Sequence, residues 1–129
     1  MKNVKDILAR KQFHFHKVLP GISVEEARQR MYCQHMDYLI VMDEDDRFVG
    51  LLTEHDIAVR AILQDQFLGL MQVREIMNTQ LPAVDIAHKA EDCIRIMRSF
   101  DVRHLPVFDE HNFVGVLSAD DILEEMVCL

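Results

Sequence analysis

Two stretches of this chain carry the same pair of reactive side chains, Thr53-x-x-Asp56 and Ser118-x-x-Asp121. A hydroxyl three residues ahead of a carboxylate can do two kinds of chemistry. At a helix start, the hydroxyl accepts a backbone N–H and the acid accepts one in return. Losing such a cap costs about 1 kcal/mol. As a binding element, the carboxylate accepts hydrogen bonds from two neighbouring hydroxyls, such as the 2′ and 3′ hydroxyls of a ribose. The helix N-terminus beside it offers N–H groups and a positive dipole end to a phosphate. The motif alone does not separate the two readings, and one motif can cap and clamp.

Arg103-His104, just ahead of Leu105-Pro106-Val107, is the second feature with chemistry in it. Arginine brings a fixed charge on a planar fork that suits phosphate oxygens. Histidine can donate, and gains charge near an anion. The plainer alternative is a solvated pair before a strand, with His104 half-packed. Other candidates are thinner. His14 and His16 share one strand face, but no third metal ligand is placed by spacing, so a surface pair and no metal site is expected. His55-Asp56 is not a catalytic dyad, and no nucleophile elbow, P-loop or zinc-protease motif occurs.

Composition narrows the classes. The chain has 129 residues, half of them hydrophobic, enough for one compact domain or two small ones sharing a core. A net charge of −8 argues against a nucleic-acid partner, because DNA affinity comes mainly from cationic contacts to phosphates. Cys33, Cys93 and Cys128 are far apart and form no C-x-x-C pair, so three reduced thiols are expected rather than structural zinc. No apolar run approaches the roughly 20 residues of a bilayer span, and the N-terminus lacks the apolar centre of a secretory signal. The expectation is a cytoplasmic protein with no membrane partner.

The elements that must position these residues come in two copies. FVGLLTEHDI from Phe48 matches FVGVLSADDI from Phe113, with six of ten positions identical. Tyr38-Leu-Ile-Val-Met-Asp-Glu matches His104-Leu-Pro-Val-Phe-Asp-Glu, and Val4-Lys-Asp-Ile-Leu matches Val73-Arg-Glu-Ile-Met. The repeat units are expected at 1–66 and 67–129. Each reads as a short helical turn (4–9; 73–77), an extended segment (15–19; 81–85), a helix, a hairpin (39–42 with 48–52; 105–108 with 113–117) and a final helix. Ser23 and Glu26 predict a capping box on the first long helix. Ala27 with Met31, and Cys93, Met97 and Phe100, give its apolar stripe and that of its counterpart, with Ile94 and Ile96 flanking. Ile57, Ala61 and Ile62, and then Ile122, Met126 and Val127, are the apolar residues of the final helices. Gly50 and Gly115, inside strands, predict a bulge or a close backbone approach.

This tandem order, and above all HLPVFDEHNFVGVLSADDI with its partner YLIVMDEDDRFVGLLTEHDI, resembles a CBS-domain pair, or Bateman module. The resemblance covers essentially the whole chain. It implies an α/β (α+β) fold: two tandem β-α-β-β-α units related by a pseudo-twofold axis, with small sheets packed against helices. A stand-alone regulatory module is expected, not an enzyme.

The resemblance also implies a ligand and its site. Adenine nucleotides (AMP, ADP, ATP) or another adenosyl compound such as S-adenosylmethionine would bind in the cleft between units. Asp56 and Asp121 would grip the ribose, with Thr53 and Ser118 beside them near sugar and phosphate. Arg103 and His104 would meet the phosphate. The base would lie against the extended segments, at Ala83 and Val84 with Pro106, and at Lys17 and Val18. The first copy has Asp37-Tyr38 in place of Arg103-His104 and Ile40 in place of Pro106, so the two sites are expected to be unequal. Arg103 and His104 could serve a ligand held by Asp56 or one held by Asp121. No cofactor is required. The resemblance also implies a regulated protein partner, of unknown identity. The rival reading is a ligand-free interaction or dimerisation domain whose Ser/Thr-x-x-Asp motifs only cap helices. In either case a homodimer is expected, with Ala27, Met31, Cys93, Met97, Ile57, Ala61, Ile122 and Met126 as candidate interface residues and core packing as their other use.

Overall fold

The computed structural model describes residues 3–11 and 16–127. His14, Phe15 and Cys128 therefore lie outside the described residues. The chain divides into two compact units, residues 15–80 and residues 81–129 together with 1–14. The sequence repeat and the compact unit are thus different objects: the opening helix of the first repeat belongs with the body of the second.

In the 15–80 unit, β1 (Lys17–Val18) runs parallel to β2 (Tyr38–Met42), which pairs antiparallel with β3 (Phe48–Thr53). Helix α2 (Val24–Gln34) lies between β1 and β2 in sequence. Ser23 caps it by accepting the Glu26 N–H at 3.0 Å. The other half of the predicted box is not made, because the Glu26 carboxylate pairs with Arg30 at 2.9 Å, one turn on. The helix ends at His35 in the left-handed conformation, where the Met36 N–H closes onto Met31 O at 2.9 Å. After β3 the chain makes one α-turn, α3 (Glu54–Ile57), and then a π-turn over Ala58–Ile62, with the Leu63 N–H on Ala58 O at 2.9 Å. Two 3₁₀ turns, Leu68–Leu70 and Val73–Glu75, follow.

The other unit repeats the sheet: β4 (Val84–Asp85) parallel to β5 (His104–Asp109), and β5 antiparallel to β6 (Asn112–Ser118). Helix α4 (Ala90–Phe100) precedes β5, and α5 (Ala119–Val127) follows β6. Helix α1 (Val4–Arg10), capped by Asn3, joins this unit through the Val4 N–H on His88 O at 2.8 Å and the Lys5 N–H on Ile86 O at 3.1 Å. Val4, Ile7 and Leu8 are buried in its core.

Side chains alternate across a strand, so each sheet sorts its residues by parity. Leu39, Val41 and Leu52, with Val18, enter one core. Leu105, Val107 and Leu117, with Val84, enter the other. Losing one such leucine to alanine would cost about 2–5 kcal/mol. The opposite face of the first sheet collects Tyr38, Ile40, Leu51 and Thr53. That of the second collects His104, Pro106, Val116 and Ser118. Both sheets carry a register shift, at Val41/Met42 and Val107/Phe108, opposite Gly50 and Gly115. Gly50 also meets a close approach: a Cβ there would stand 2.8 Å from Asn78 O, because Asn78 bridges Leu51 through two backbone hydrogen bonds.

The candidate interface residues require correction. Ala27, Met31, Ile57, Ala61, Cys93, Met97 and Ile122 are all buried core side chains of their own units. Of that set only Met126 is exposed. Phe100 and Ile62, expected on apolar stripes, are exposed as well. Phe100 closes α4, and the left-handed Asp101 after it turns the chain into β5. Ile62 closes the π-turn, where the i→i+5 spacing departs from the helical period behind the prediction.

Candidate functional site

Both Thr/Ser-x-x-Asp turns form the reciprocal cap. The Thr53 N–H donates to Asp56 Oδ2 at 3.0 Å and the Asp56 N–H donates to Thr53 Oγ1 at 3.1 Å. The Ser118 N–H donates to Asp121 Oδ2 at 2.7 Å and the Asp121 N–H to Ser118 Oγ at 3.1 Å. A second tether fixes each turn from the neighbouring strand: the Glu54 N–H meets Asp37 O at 3.0 Å, and the Ala119 N–H meets Arg103 O at 2.8 Å. Capping is therefore a real job of these residues.

It does not use the whole carboxylate. In both turns every hydrogen bond to the aspartate among the described residues falls on Oδ2. The third contact differs between the copies. Thr53 Oγ1 donates to Asp56 Oδ2 at 2.9 Å. At Asp121 the corresponding place is taken by Lys11, whose Nζ lies 2.7 Å from Oδ2 and also donates to Val116 O at 2.8 Å. Lys11 sits just past α1, and nothing in the spacing of the repeats points to it. Only the fold, which carries α1 into this unit, brings it to Asp121.

The other candidates divide by face and by unit. His104 is buried and stands directly across from Ser118 in the β5–β6 register; Tyr38 holds the matching place across from Thr53. Pro106 is buried on the same face as His104, and Arg103 is exposed. Asp121, Ser118, Arg103, His104, Pro106, Ala83 and Val84 belong to one unit, and Asp56, Thr53, Lys17 and Val18 to the other. The residues whose carbonyls tether the two turns differ in charge: Arg103 in one unit, Asp37 in the other.

The base-facing residues divide too. Ala83 is exposed. Val84 and Val18 are core side chains, so only their backbone groups are available to a base. Lys17 is exposed, and its ammonium lies 3.2 Å from Asp46 in the hairpin turn. Among the described residues no group of three or more His, Cys, Asp or Glu side chains could hold a metal ion. No helix of the described residues is long and apolar enough to cross a membrane. The Cys93 thiol is held up at about 11, from an ordinary 9.0, by burial and secondarily by the neighbouring Asp92 charge.

Comparison with known proteins places this arrangement in a family. Residues 4–61 and 73–128 each match the CBS domain. The CBS domain-containing protein YhcV of Bacillus subtilis is 31% identical over 122 residues, covering 95% of this chain and 84% of that protein. The crystal structure of the CBS domain protein NE2398 superposes with a TM-score of 0.90 at 36% identity, covering 98% of this chain and 99% of that one. The CBS domain pair of protein MJ0100, solved in complex with 5′-methylthioadenosine and S-adenosyl-L-methionine, has the same fold, with a TM-score of 0.83 at 24% identity over 99% of this chain and 98% of that one. The chain belongs to the CBS-domain family and carries two CBS domains in tandem.

Proposed function

We propose that this CBS pair is a small regulatory module that binds an adenosine-containing ligand, with the aspartates of its two Thr/Ser-x-x-Asp turns as sugar clamps. The observation that carries the reading is the unspent carboxylate oxygen. Capping occupies Oδ2 of Asp56 and of Asp121, and Oδ1 is left to accept a ribose hydroxyl. The ligands in the MJ0100 complex are adenosyl compounds and give the chemical class to test.

The unit containing Asp121 is the better phosphate site. Arg103 and His104 flank its turn, and a charged fork at an exposed position suits a mobile phosphate. Its counterpart, Asp37, repels the same group. Binding would act on a partner by favouring one of two states of the module, which requires unequal affinity for them. Thermal shift against AMP, ADP, ATP and S-adenosylmethionine, with guanine nucleotides as controls, tests the reading. Selective stabilisation by adenosine compounds supports it. No shift at millimolar ligand contradicts it and leaves the turns as helix caps.

Exposed apolar residues favour self-association as well. Val59, Ile62, Leu63, Phe67 and Leu70 are exposed within one short stretch. A symmetric homodimer is the commonest way for a small protein to cover such a patch.

A further inference from the structure

We infer that Lys11 is a built-in latch on the Asp121 clamp, an ion pair on Oδ2 that draws down the carboxylate's charge and so weakens the bond a ligand's sugar makes at Oδ1. This rests on reading Asp121 as a clamp and adds how that clamp is regulated. Lys11 Nζ lies 2.7 Å from Asp121 Oδ2 and 2.8 Å from Val116 O, so two of its three protons are directed at this turn. The two side chains are largely shielded, 22% and 12% exposed, which keeps water from loosening the pair. With the Ser118 N–H also on Oδ2, the carboxylate's charge is already answered before any ligand arrives.

Among the described residues the latch belongs to one unit only. Asp56 meets its own threonine where Asp121 meets Lys11. The recess beside the pair, lined by Ile7, Arg10, Lys11, Asp121, Glu124 and Glu125, measures about 120 Å³. Opening it is a side-chain event. The Lys11 backbone is fixed by its N–H on Leu8 O at 3.1 Å and α1 is tied at residues 86–88, while the four-carbon stem can swing. Arg10 pairs with Glu125, one turn along α5 from Asp121, at 2.9 Å, so the end of α1 stays docked when Lys11 leaves.

Adenosine is the right probe, because it carries the diol without a phosphate that Lys11 could attract. Calorimetry would be run on the full chain in an Asp56→Asn background, so that only the Asp121 turn reports. Lys11→Met should bind adenosine about fivefold more tightly than Lys11, the worth of a modest ion pair. Lys11→Arg, which keeps the charge, should stay within about twofold of Lys11. Glu125→Gln, which removes the Arg10 ion pair, should also stay within about twofold. Unchanged or weaker binding by Lys11→Met, while Asp121→Asn still abolishes binding, overturns the latch and leaves the clamp standing. An equal gain from Glu125→Gln also overturns it, since the effect would then be one of general charge. If no variant binds adenosine or AMP, the clamp itself fails at this turn and the latch with it.

Discussion

Arg103 and Asp37 hold the same backbone place with opposite charge: the carbonyl of each accepts the N–H of the first residue of the following helix, from Ala119 at 2.8 Å and from Glu54 at 3.0 Å. The equivalence is structural and the charge reversal is chemical, so each unit presents the same turn to a different electrostatic mouth. Arg103→Ala should weaken AMP about fivefold and leave adenosine nearly unchanged, with the gap closing as salt is raised. Titration of both ligands at two ionic strengths checks it. Equal losses for both would remove Arg103 from phosphate recognition.

Gly50 is required by geometry rather than by conformation. A methyl at this position meets the backbone oxygen of Asn78 at 2.8 Å, and that oxygen is pinned by the Leu51 N–H at 3.1 Å. Gly50→Ala should cost about 1–3 kcal/mol, read as a lowered urea midpoint at unchanged slope. A variant as stable as the parent would mean the 78–51 bridge yields easily.

The legible parts of the fold were those written in short-range pattern. Strand parity, both hairpins and both caps follow from residues a few positions apart, and duplication let each copy check the other. The grouping of α1 with residues 81–129 was not legible, because aligning Val4 with Val73 says which residues correspond, not which body each one joins. Lys11 was missed for the same reason: its partner is far along the chain. The interface residues were misassigned because Met31, Met97 and Ile122 have the spacing of an amphipathic stripe, which looks the same whether the stripe faces a core or a partner. Ile62 escaped because a π-turn changes the period on which the prediction relied.

Cys93 should behave as an inert core thiol. With its pKa raised to about 11 it stays protonated where an ordinary thiol at 9.0 ionises. The unfolded chain therefore loses this proton first, and the contribution to stability falls as pH rises from about 9 to 11. Iodoacetamide at pH 8.5 should modify exposed Cys33 and spare Cys93 until the protein is unfolded. Peptide mapping reads this out. Equal labelling of both in the native state would mean that the core opens readily.

The exposed stretch containing Leu63 and Phe67 should carry self-association. Sedimentation equilibrium at micromolar concentration should give twice the chain mass, and Leu63→Glu with Phe67→Glu should return the monomer with its fold intact. A wild-type monomer across that range removes the homodimer. A dimer that survives both substitutions moves the interface elsewhere.

The sugar clamp is the central claim, and the most direct measurement is calorimetric titration of AMP into the parent chain, Asp121→Asn and Asp56→Asn, with the melting temperature of each variant recorded. Asparagine keeps the shape of the side chain and part of the cap, but not the charge that strengthens a bond to a sugar hydroxyl. The parent should bind at micromolar to sub-millimolar concentration, about −5 to −8 kcal/mol. At least one substitution should weaken binding about tenfold while shifting stability by no more than about 1 kcal/mol. The contradicting result is the reverse: lowered melting temperatures with AMP affinity unchanged, or no heat from the parent chain at millimolar AMP.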